Sequence, residues 1–302
     1  MNPRDRLWRR SIGARIIVLF LALLLAVQLA SFASLRASLS SHAHRTLPTK
    51  LLEGERLLQN LIDRKAQAVT AGAQLLAADY GFREALSSND AETIVSVLAN
   101  HGARIGATEA AFLSTDFQLR ATTATHPREL APVAAHLGSQ AIASGHANAI
   151  ALIGGRPNQV VLVPVIAPLL VGWVLMAFPL DAQLMSDMRN LSGLDLTLLS
   201  RATAREPWAV DLTSLGAARA TDLSEHGWVV AAPEGGMISV LTQGDELGVR
   251  ALPLGADRRS DAGVLALVSL SVDDAVRPPA DLQIALIAIT LVAIAVFAIG
   301  SV

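Results

Sequence analysis

The stretch QVVLVPVIAPLLVGWVLMAF, residues 159–178, decides the fold of this chain. It contains two apolar runs, Gln159–Ile166 and Gly172–Phe178, which are separated by Pro168-Leu169-Leu170. Short runs rich in β-branched residues on either side of a proline-containing turn are typical of neighbouring strands. The stretch therefore predicts two adjacent strands of an antiparallel sheet.

A hairpin and several helices surround these two strands. Ala110–Ser114 and Phe117–Thr122 alternate around Thr115-Asp116, a pattern that predicts a hairpin. Asn89 or Asp90 is a suitable cap for the helix that follows it, as is Asp181 for a later one. Helical periodicity predicts helices at Gly81–Leu86, Asp90–Arg104, Glu129–Ser144 and Asp181–Leu191.

A second, shorter block repeats this arrangement after residue 193. It reads as strands with one long turn at Pro233-Glu234-Gly235-Gly236. The predicted strands are Leu194–Ser200, Trp228–Ala232, Met237–Thr242, Leu247–Leu254 and Gly263–Ser271. Helices and strands in this order predict an α+β fold with two antiparallel sheets.

Residues 36–78 predict one long helix before the first sheet. Apolar residues recur along it in steps of four and seven, at Leu51, Leu58, Ile62 and Val69. Pro48 is expected to start a new helix or to kink a continuing one. The apolar stripe is suited to packing on the adjacent domain, on a second subunit in a homodimer, or on both.

Two apolar segments account for an unusual composition. Hydrophobic residues make up 52% of the chain and charged residues 17%, whereas a soluble domain carries about a quarter charged residues. Residues 16–35 and 282–302 contain no charge, and about 20 helical residues cross the ~30 Å hydrocarbon core of a bilayer. Both segments are predicted transmembrane helices.

The charges beside these segments predict their orientation. Residues 1–15 carry five arginines against one acid, and such basic segments stay in the cytoplasm. We therefore expect a cytoplasmic tail at 1–15, an extracytoplasmic region at about 36–281 and a location in the bacterial inner membrane. A cleaved signal peptide is the alternative for the first segment. Because the chain has no cysteine, an exported domain must fold without disulfides.

The first block also resembles a known family. The chain is similar to the double Cache family of extracytoplasmic sensor domains in bacterial transmembrane receptors. The likeness covers most of residues 40–200, and the second block matches by position and texture only. The stretches that carry it are Asp79–Ala85, Asn100–Ala107, Gln159–Pro168, Trp173–Met176, Phe178–Asp181 and Leu191–Leu194.

The resemblance implies two stacked PAS-like units on the long helix. The membrane-distal unit would be residues 79–192 and the membrane-proximal unit residues 193–272, with a connector at 273–281 before the second membrane helix. It also implies a cytoplasmic output, often GGDEF and EAL modules that make or degrade cyclic di-GMP, or a histidine kinase. These 302 residues contain no such module, so we expect it beyond Val302.

No sequence motif indicates an enzyme. Glu84-Ala85-Leu86 spells EAL, and Gly244-Asp245-Glu246 faintly matches GGDEF, but both lack the context that these motifs need. Gly154-Gly155 is followed by Arg-Pro-Asn and predicts a turn rather than a phosphate loop. The chain has no paired metal-binding histidine motif, nucleophile elbow or basic nucleic-acid patch. We therefore expect no catalysis, metal, cofactor or nucleic-acid partner.

A ligand pocket is expected in the first unit. In PAS-like units, ligands lie between the sheet and its covering helices or loops. Arg120 and Arg156 are suited to a carboxylate and Trp173 to stacking on an apolar ligand, although ordinary core or surface roles explain the same residues. The candidate ligand-binding residues are Phe112, Ser114, Arg120, Thr122, Arg156, Gln159, Val161, Trp173 and Met176.

The sequence thus favours a signal-sensing region of a transmembrane receptor. An unidentified small molecule would bind outside the membrane, and a shift of the long helix or of residues 272–280 would pass the signal across the bilayer. Such helix shifts typically measure about 1–2 Å. The alternative is a membrane-anchored binding or scaffold protein without signalling output.

Overall fold

The computed structural model describes residues 12–88, 90–203, 205–225, 236–255, 263–272 and 288. The chain divides into two compact parts, one of residues 1–47 and 271–302 and one of residues 48–270. Among the described residues, no helix has a stretch both long enough and apolar enough to span a membrane. The predicted connector at 273–281 lies outside the described residues, as does the predicted span at 282–302 apart from Ala288.

The described residues form six helices and ten strands. Helix α1 runs from Ile12 to Ala78 and continues through Pro48. The other helices are α2 (Tyr80–Ser88), α3 (Ala91–Ile105), α4 (Pro127–Ser144), α5 (Ala182–Ser192) and α6 (Ala217–Glu225). The strands are β1 (Glu109–Leu113), β2 (Leu119–Thr122), β3 (Ala147–Ile153), β4 (Arg156–Ile166), β5 (Leu170–Pro179), β6 (Asp195–Arg201), β7 (Ala209–Thr213), β8 (Met237–Thr242), β9 (Asp245–Pro253) and β10 (Gly263–Ser271).

The strands make two five-stranded sheets of the same topology. Sheet A has the order β2-β1-β5-β4-β3, and sheet B has the order β7-β6-β10-β9-β8. Numbered within its own sheet, each order is second, first, fifth, fourth, third. Neighbouring strands are antiparallel, which confirms the predicted α+β class with two antiparallel sheets and a long N-terminal helix.

Most of the predicted elements within the described ranges are present, with shifted ends. Asp90 caps α3 as predicted, because its carboxylate accepts hydrogen bonds from the backbone of Glu92 and Thr93. The predicted turn at Gly154-Gly155 joins β3 to β4, and both glycines have positive φ angles of 61° and 71°, as a two-residue hairpin of this type requires. The predicted strand at Trp228–Ala232 lies outside the described residues.

Strands β3 and β7 and helix α6 are absent from the sequence prediction. Strand β3, with the sequence ANAIALI, is rich in alanine, which has low β propensity. Its strand state is set by the seven-residue register with β4, from Ala147 opposite Leu162 to Ile153 opposite Arg156. Strand β7 is short and half-exposed, so its apolar pattern is weak.

Helix α1 packs on one face of sheet B. Leu51 and Leu58 are fully buried, and between them Gly54 lies directly against Leu194 and Val268. One turn of helix carries both the glycine and Glu55, whose carboxylate pairs with Arg250 of β9. Burial of Leu51 and Leu58 within the chain bears out intrachain packing for this part of the predicted stripe.

The C-terminal part of α1 packs on sheet A together with α2 and α3. Ala73 and Leu76 of α1, Phe82 of α2 and Leu98 of α3 share one apolar cluster. The members that sheet A contributes are Ala110, Phe112, Ala121, Val161, Val163, Val165, Val174, Met176 and Phe178. Alternate residues of β4 and β5 point to this face, as the two-residue period of a strand dictates.

The opposite face of each sheet is covered by the helix that follows its second strand. Helix α4 covers sheet A through Leu130, Ala134, Leu137 and Ala141. Helix α6 takes the equivalent place on sheet B, where Leu223 packs in a cluster with Leu199 and Leu267. Each sheet is therefore buried between α1 on one face and a shorter helix on the other.

The contact of Gly54 with sheet B predicts the effect of a single added methyl group. In Gly54→Ala, the new Cβ would lie 2.2 Å from Leu194 Cδ1 and 3.2 Å from Val268 Cγ1. Overpacking costs about 1–3 kcal/mol, against a gain of up to about 1 kcal/mol for replacing helical glycine by alanine. We expect the free energy of unfolding to fall by roughly 1–2 kcal/mol in urea titrations.

Gly72→Ala is the matched control in the same helix. A Cβ at this position would lie 3.4 Å from Ile105 Cδ1, which is ordinary contact. This variant should therefore be stabilised by up to about 1 kcal/mol through helix propensity. A Gly54→Ala protein that gained as much stability as Gly72→Ala would show that Leu194 yields without cost and would contradict the tight contact.

Candidate functional site

The predicted ligand-binding residues of sheet A lie on both of its faces. Phe112, Val161 and Met176 are buried in the cluster shared with α1, α2 and α3. Trp173 is buried in the other cluster, beneath α4. The sheet backbone separates these two clusters, so Trp173 does not share a cavity with the other three.

Trp173 forms an aromatic pair beneath α4. Its ring stacks on Phe117, with 5.4 Å between the ring centroids and 25° between the ring planes. Phe117 lies in the β1–β2 turn with a φ of 63°, and a Cβ at Gly138 of α4 would lie 2.9 Å from its ring. The indole Nε1 of Trp173 is buried without a hydrogen-bond partner, so this wall of the sheet retains an unused donor.

The predicted hydroxyl groups serve the hairpin that carries them. Ser114 donates to Asp116 and accepts a 3.1 Å hydrogen bond from the backbone N–H of Gln118. Its hydroxyl is the main cause of a lowered pKa at Asp116. Thr122 donates to the carbonyl of Ala110 at 3.0 Å. Both side chains thus stabilise the β1–β2 hairpin.

The remaining predicted residues do not converge either. Arg120 and Arg156 are exposed, on β2 and at the start of β4. Gln159 is buried, and its amide nitrogen donates to Asn148 Oδ1 at 3.2 Å, while its Oε1 has no partner. The two arginines are therefore at the surface, whereas Gln159 and Trp173 are buried.

A buried carboxylate that the sequence prediction missed lies at the start of β1, beside the N-cap of α4. Glu109 is 8% exposed, and its Oε1 accepts a 3.0 Å hydrogen bond from Thr125 Oγ1. His126 Nδ1 is 3.6 Å from the same oxygen, and Oε2 has no partner. A buried acceptor of this kind is costly unless a donor reaches it.

Gly154, in the turn between β3 and β4, lies beside the start of α4. The backbone N–H of Gly154 donates to Glu129 of α4 at 2.6 Å, and a Cβ at Gly154 would lie 3.2 Å from the ring of His126. The signal in the sequence was a single acid in the otherwise uncharged stretch 105–115. Within the described ranges, no three histidine or acidic side chains are grouped so as to hold a metal ion.

A separate surface groove of about 320 Å³ runs between α2 and α3. Its walls include none of the predicted ligand-binding residues. Asp90 stands in it, with a pKa that is lowered mainly by a hydrogen bond from the hydroxyl of Thr93. The groove is lined by Gly81, Glu84, Ala85, Ser88, Asp90, Thr93 and Val97.

Arg156 lies close to a half-buried carboxyl of sheet B. Asp211 is the extra residue of a β-bulge, because Leu198 pairs with Leu212 whereas Leu199 pairs with Val210. Burial raises the pKa of Asp211, and a hydrogen bond from Ser200 and the charge of Arg156 offset part of this effect. Its Oδ2 has no hydrogen-bond partner.

Comparison with known proteins identifies the family. A family model described as the double sensory domain of two-component sensor kinase matches residues 48–270. The chain belongs to this double Cache family. The family consists of sensory domains and not catalytic ones, in keeping with the absence of catalytic motifs from the sequence.

Solved structures with similar folds include three bacterial sensor domains. The periplasmic domain of Vibrio cholerae LuxQ has 14% identity and a TM-score of 0.48, covering 73% of this chain and 99% of its own. The sensory domain of the Campylobacter jejuni chemoreceptor Tlp3, with isoleucine bound, has 9% identity, coverage of 79% and 98% and a TM-score of 0.45.

The third is the sensor domain of the V. cholerae histidine kinase DctB, with 13% identity, coverage of 74% and 97% and a TM-score of 0.43. No curated protein matches the sequence significantly. The assignment to the double Cache family therefore rests on the family model.

The raised pKa of Asp211 predicts a pH-dependent stability. Because burial raises this pKa, the folded state binds the proton more tightly than the unfolded state. The free energy of unfolding therefore falls as the pH rises from the unfolded-state pKa through the folded-state pKa. Asp211→Asn should therefore unfold at higher urea concentration than the wild type at neutral pH. The difference should shrink as the pH is lowered through the acidic range.

Asp63→Asn, which removes an exposed carboxylate of α1, is the control. It should follow the wild-type dependence of unfolding free energy on pH. Parallel pH profiles for Asp211→Asn and the wild type would show that the Asp211 carboxyl carries no burial cost.

Proposed function

We propose that the chain is the extracytoplasmic sensing region of a transmembrane receptor. A small molecule binds to the first unit, residues 79–192, and α1 carries the change toward the membrane. The family assignment supports the sensory role. The packing of α1 on both sheets supports the route of transmission.

Charged side chains attach α1 to the region of each sheet, and this observation carries the proposal. Lys65 Nζ donates to the carbonyl of Pro179 and to Asp181 Oδ2, both at 3.0 Å. Glu55, ten residues earlier, is paired with Arg250. Because Lys65 is bound at the exit of β5 and Glu55 at β9, a displacement of the end of β5 acts on a helix that is also attached to sheet B.

Asp181 has a different role from the predicted cap. It occupies the N-cap position of α5, but its side chain makes no capping hydrogen bond. Its carboxylate is instead the partner of Lys65. The start of α5, at the junction between the first and second units, is therefore tied to α1.

The proposed ligand site is the α4 face of sheet A. Trp173 and Phe117 form an aromatic pair at one end of the β1–β5 ladder, and Glu109 supplies a buried oxygen without a donor at the other end. An amine or ammonium group is the chemistry that would pair with this oxygen. Among the residues predicted from sequence, Trp173 is the one that we assign to the site, since the others lie elsewhere or serve the hairpin.

The membrane part of the proposal comes from the sequence. Residues 16–35 and 282–302 would span the inner membrane, and residues 1–15 would remain in the cytoplasm through their arginines. The output would be a cyclic di-GMP enzyme or a histidine kinase in the cytoplasm. A homodimer through the exposed side of α1, where Leu75 is 75% exposed, stays a prediction.

Ligand binding is tested by thermal unfolding of the 302-residue chain in detergent with a panel of amino acids and amines. A compound that binds only the folded state raises the midpoint of thermal unfolding. At 100 times its Kd, it adds about 2.7 kcal/mol to the free energy of unfolding. The response should be lost in Glu109→Gln and kept in Glu92→Gln, which changes an exposed glutamate of α3. A panel without any response, or a response that Glu109→Gln retains, would refute this site.

The membrane topology is tested with alkaline phosphatase, which is active only outside the cytoplasm. A fusion after Leu270 should be active and a fusion after Arg15 inactive, because the arginines hold the N-terminus inside. Loss of residues 16–35 should abolish activity of the first fusion. An active fusion after Arg15 would reverse the predicted orientation.

A further inference from the structure

Sheet B carries an arginine and a tryptophan whose hydrogen-bond donors are unused. Arg201 is the last residue of β6, and its guanidinium carbon lies 4.5 Å from the ring centre of Trp208. Both Arg201 Nε and Trp208 Nε1 are buried atoms with no hydrogen-bond partner. Two N–H groups at one place are thus withdrawn from water without an acceptor.

The position of this pair is fixed by the core beneath it. Trp208 packs against the apolar cluster under α6, and a Cβ at Gly263, opposite Arg201 on β10, would lie 3.3 Å from its ring. The ring in turn supports the guanidinium plane by a cation–π contact. The donors are therefore preorganised rather than free to turn toward solvent.

No acidic side chain within the described ranges forms an ion pair with Arg201. The loop between Arg201 and Trp208 contains Glu206, but its carboxylate accepts a 3.1 Å hydrogen bond from Thr203 Oγ1. Buried donors usually have partners, and those that do not call for a specific explanation. An acceptor supplied from outside the chain is one that fits both donors.

We propose that Arg201 and Trp208 form an anion site in the second unit that binds a small carboxylate. The edge of a guanidinium that carries Nε matches the two oxygens of a carboxylate. The indole N–H adds a third donor beside it. The site is separate from the α4 face of sheet A, so the second unit would respond to its own ligand.

The experiment measures thermal unfolding of the 302-residue chain in sodium acetate, succinate or phosphate, and compares it with unfolding in sodium chloride of equal ionic strength. Acetate or succinate should raise the midpoint. Arg201→Lys keeps the positive charge but removes the Nε–H donor. Trp208→Phe keeps an aromatic ring but removes the indole N–H donor. Loss of a hydrogen bond to a charged acceptor should weaken binding by roughly 10–100-fold.

Arg205→Gln is the matched control, since it removes an exposed arginine from the same loop and should leave the response unchanged. The Glu109→Gln variant should also keep it, which separates this site from the one in sheet A. The proposal is overturned if neither carboxylate acts, if phosphate alone acts, if Arg201→Lys and Trp208→Phe respond as the wild type, or if Arg205→Gln loses the response equally.

Discussion

Burial of one side of α1 against two sheets is the interaction on which the structure of residues 48–270 depends. One face of each sheet is covered by a short helix, α4 on sheet A and α6 on sheet B. The opposite face of each sheet is covered by α1, which is joined on sheet A by α2 and α3. Leu51 and Leu58 fill the contact with sheet B, and Ala73 and Leu76 fill the contact with sheet A. A single helix therefore belongs to two apolar cores, and a change that loosens one core is felt in the element that supports the other.

The two contacts of α1 differ in the size of the side chains that make them. Against sheet B, leucines flank a glycine that admits Leu194 into the helix surface. Farther along α1, the buried residues Ala66, Thr70 and Ala73 are small, the Thr70 hydroxyl has no partner, and Leu76 is the one leucine that the helix adds to the cluster with sheet A. Interlocked large side chains resist sliding more than a smooth row of small ones, because they must leave their rotamer wells to pass one another. The ion pairs at Glu55 and Lys65 add one fixed point to each contact.

The sequence was sufficient for the fold class because its strongest patterns are local. Gln159–Phe178, which contains most of β4 and β5, and Gly263–Ser271, which is β10, are long apolar runs that form interior strands of the two sheets. The alanine-rich β3 is a strand because β4 pairs with it, which no local pattern reports. The predicted ligand-binding residues are divided between two faces for a related reason: Trp173 and Met176 are three residues apart on one strand, so they face opposite sides. Parity alone separates them, but only the packing of α4 shows which side each occupies.

The shared topology of the two sheets makes their chemical difference informative. Helix α4 follows the second strand of sheet A, and α6 follows the second strand of sheet B, so the faces that they cover are equivalent. On the α4 face the unused groups are an acceptor, Glu109 Oε2 at the start of the first strand, and a donor, Trp173 Nε1 on the fifth strand. On the α6 face the unused groups include two donors, Arg201 Nε and Trp208 Nε1, at the end of the first strand and beside it. Repetition of one fold has thus placed an unpaired carboxylate oxygen on one face and an unpaired guanidinium N–H on the equivalent face of the other sheet, so a cationic group that pairs with Glu109 would not pair with Arg201.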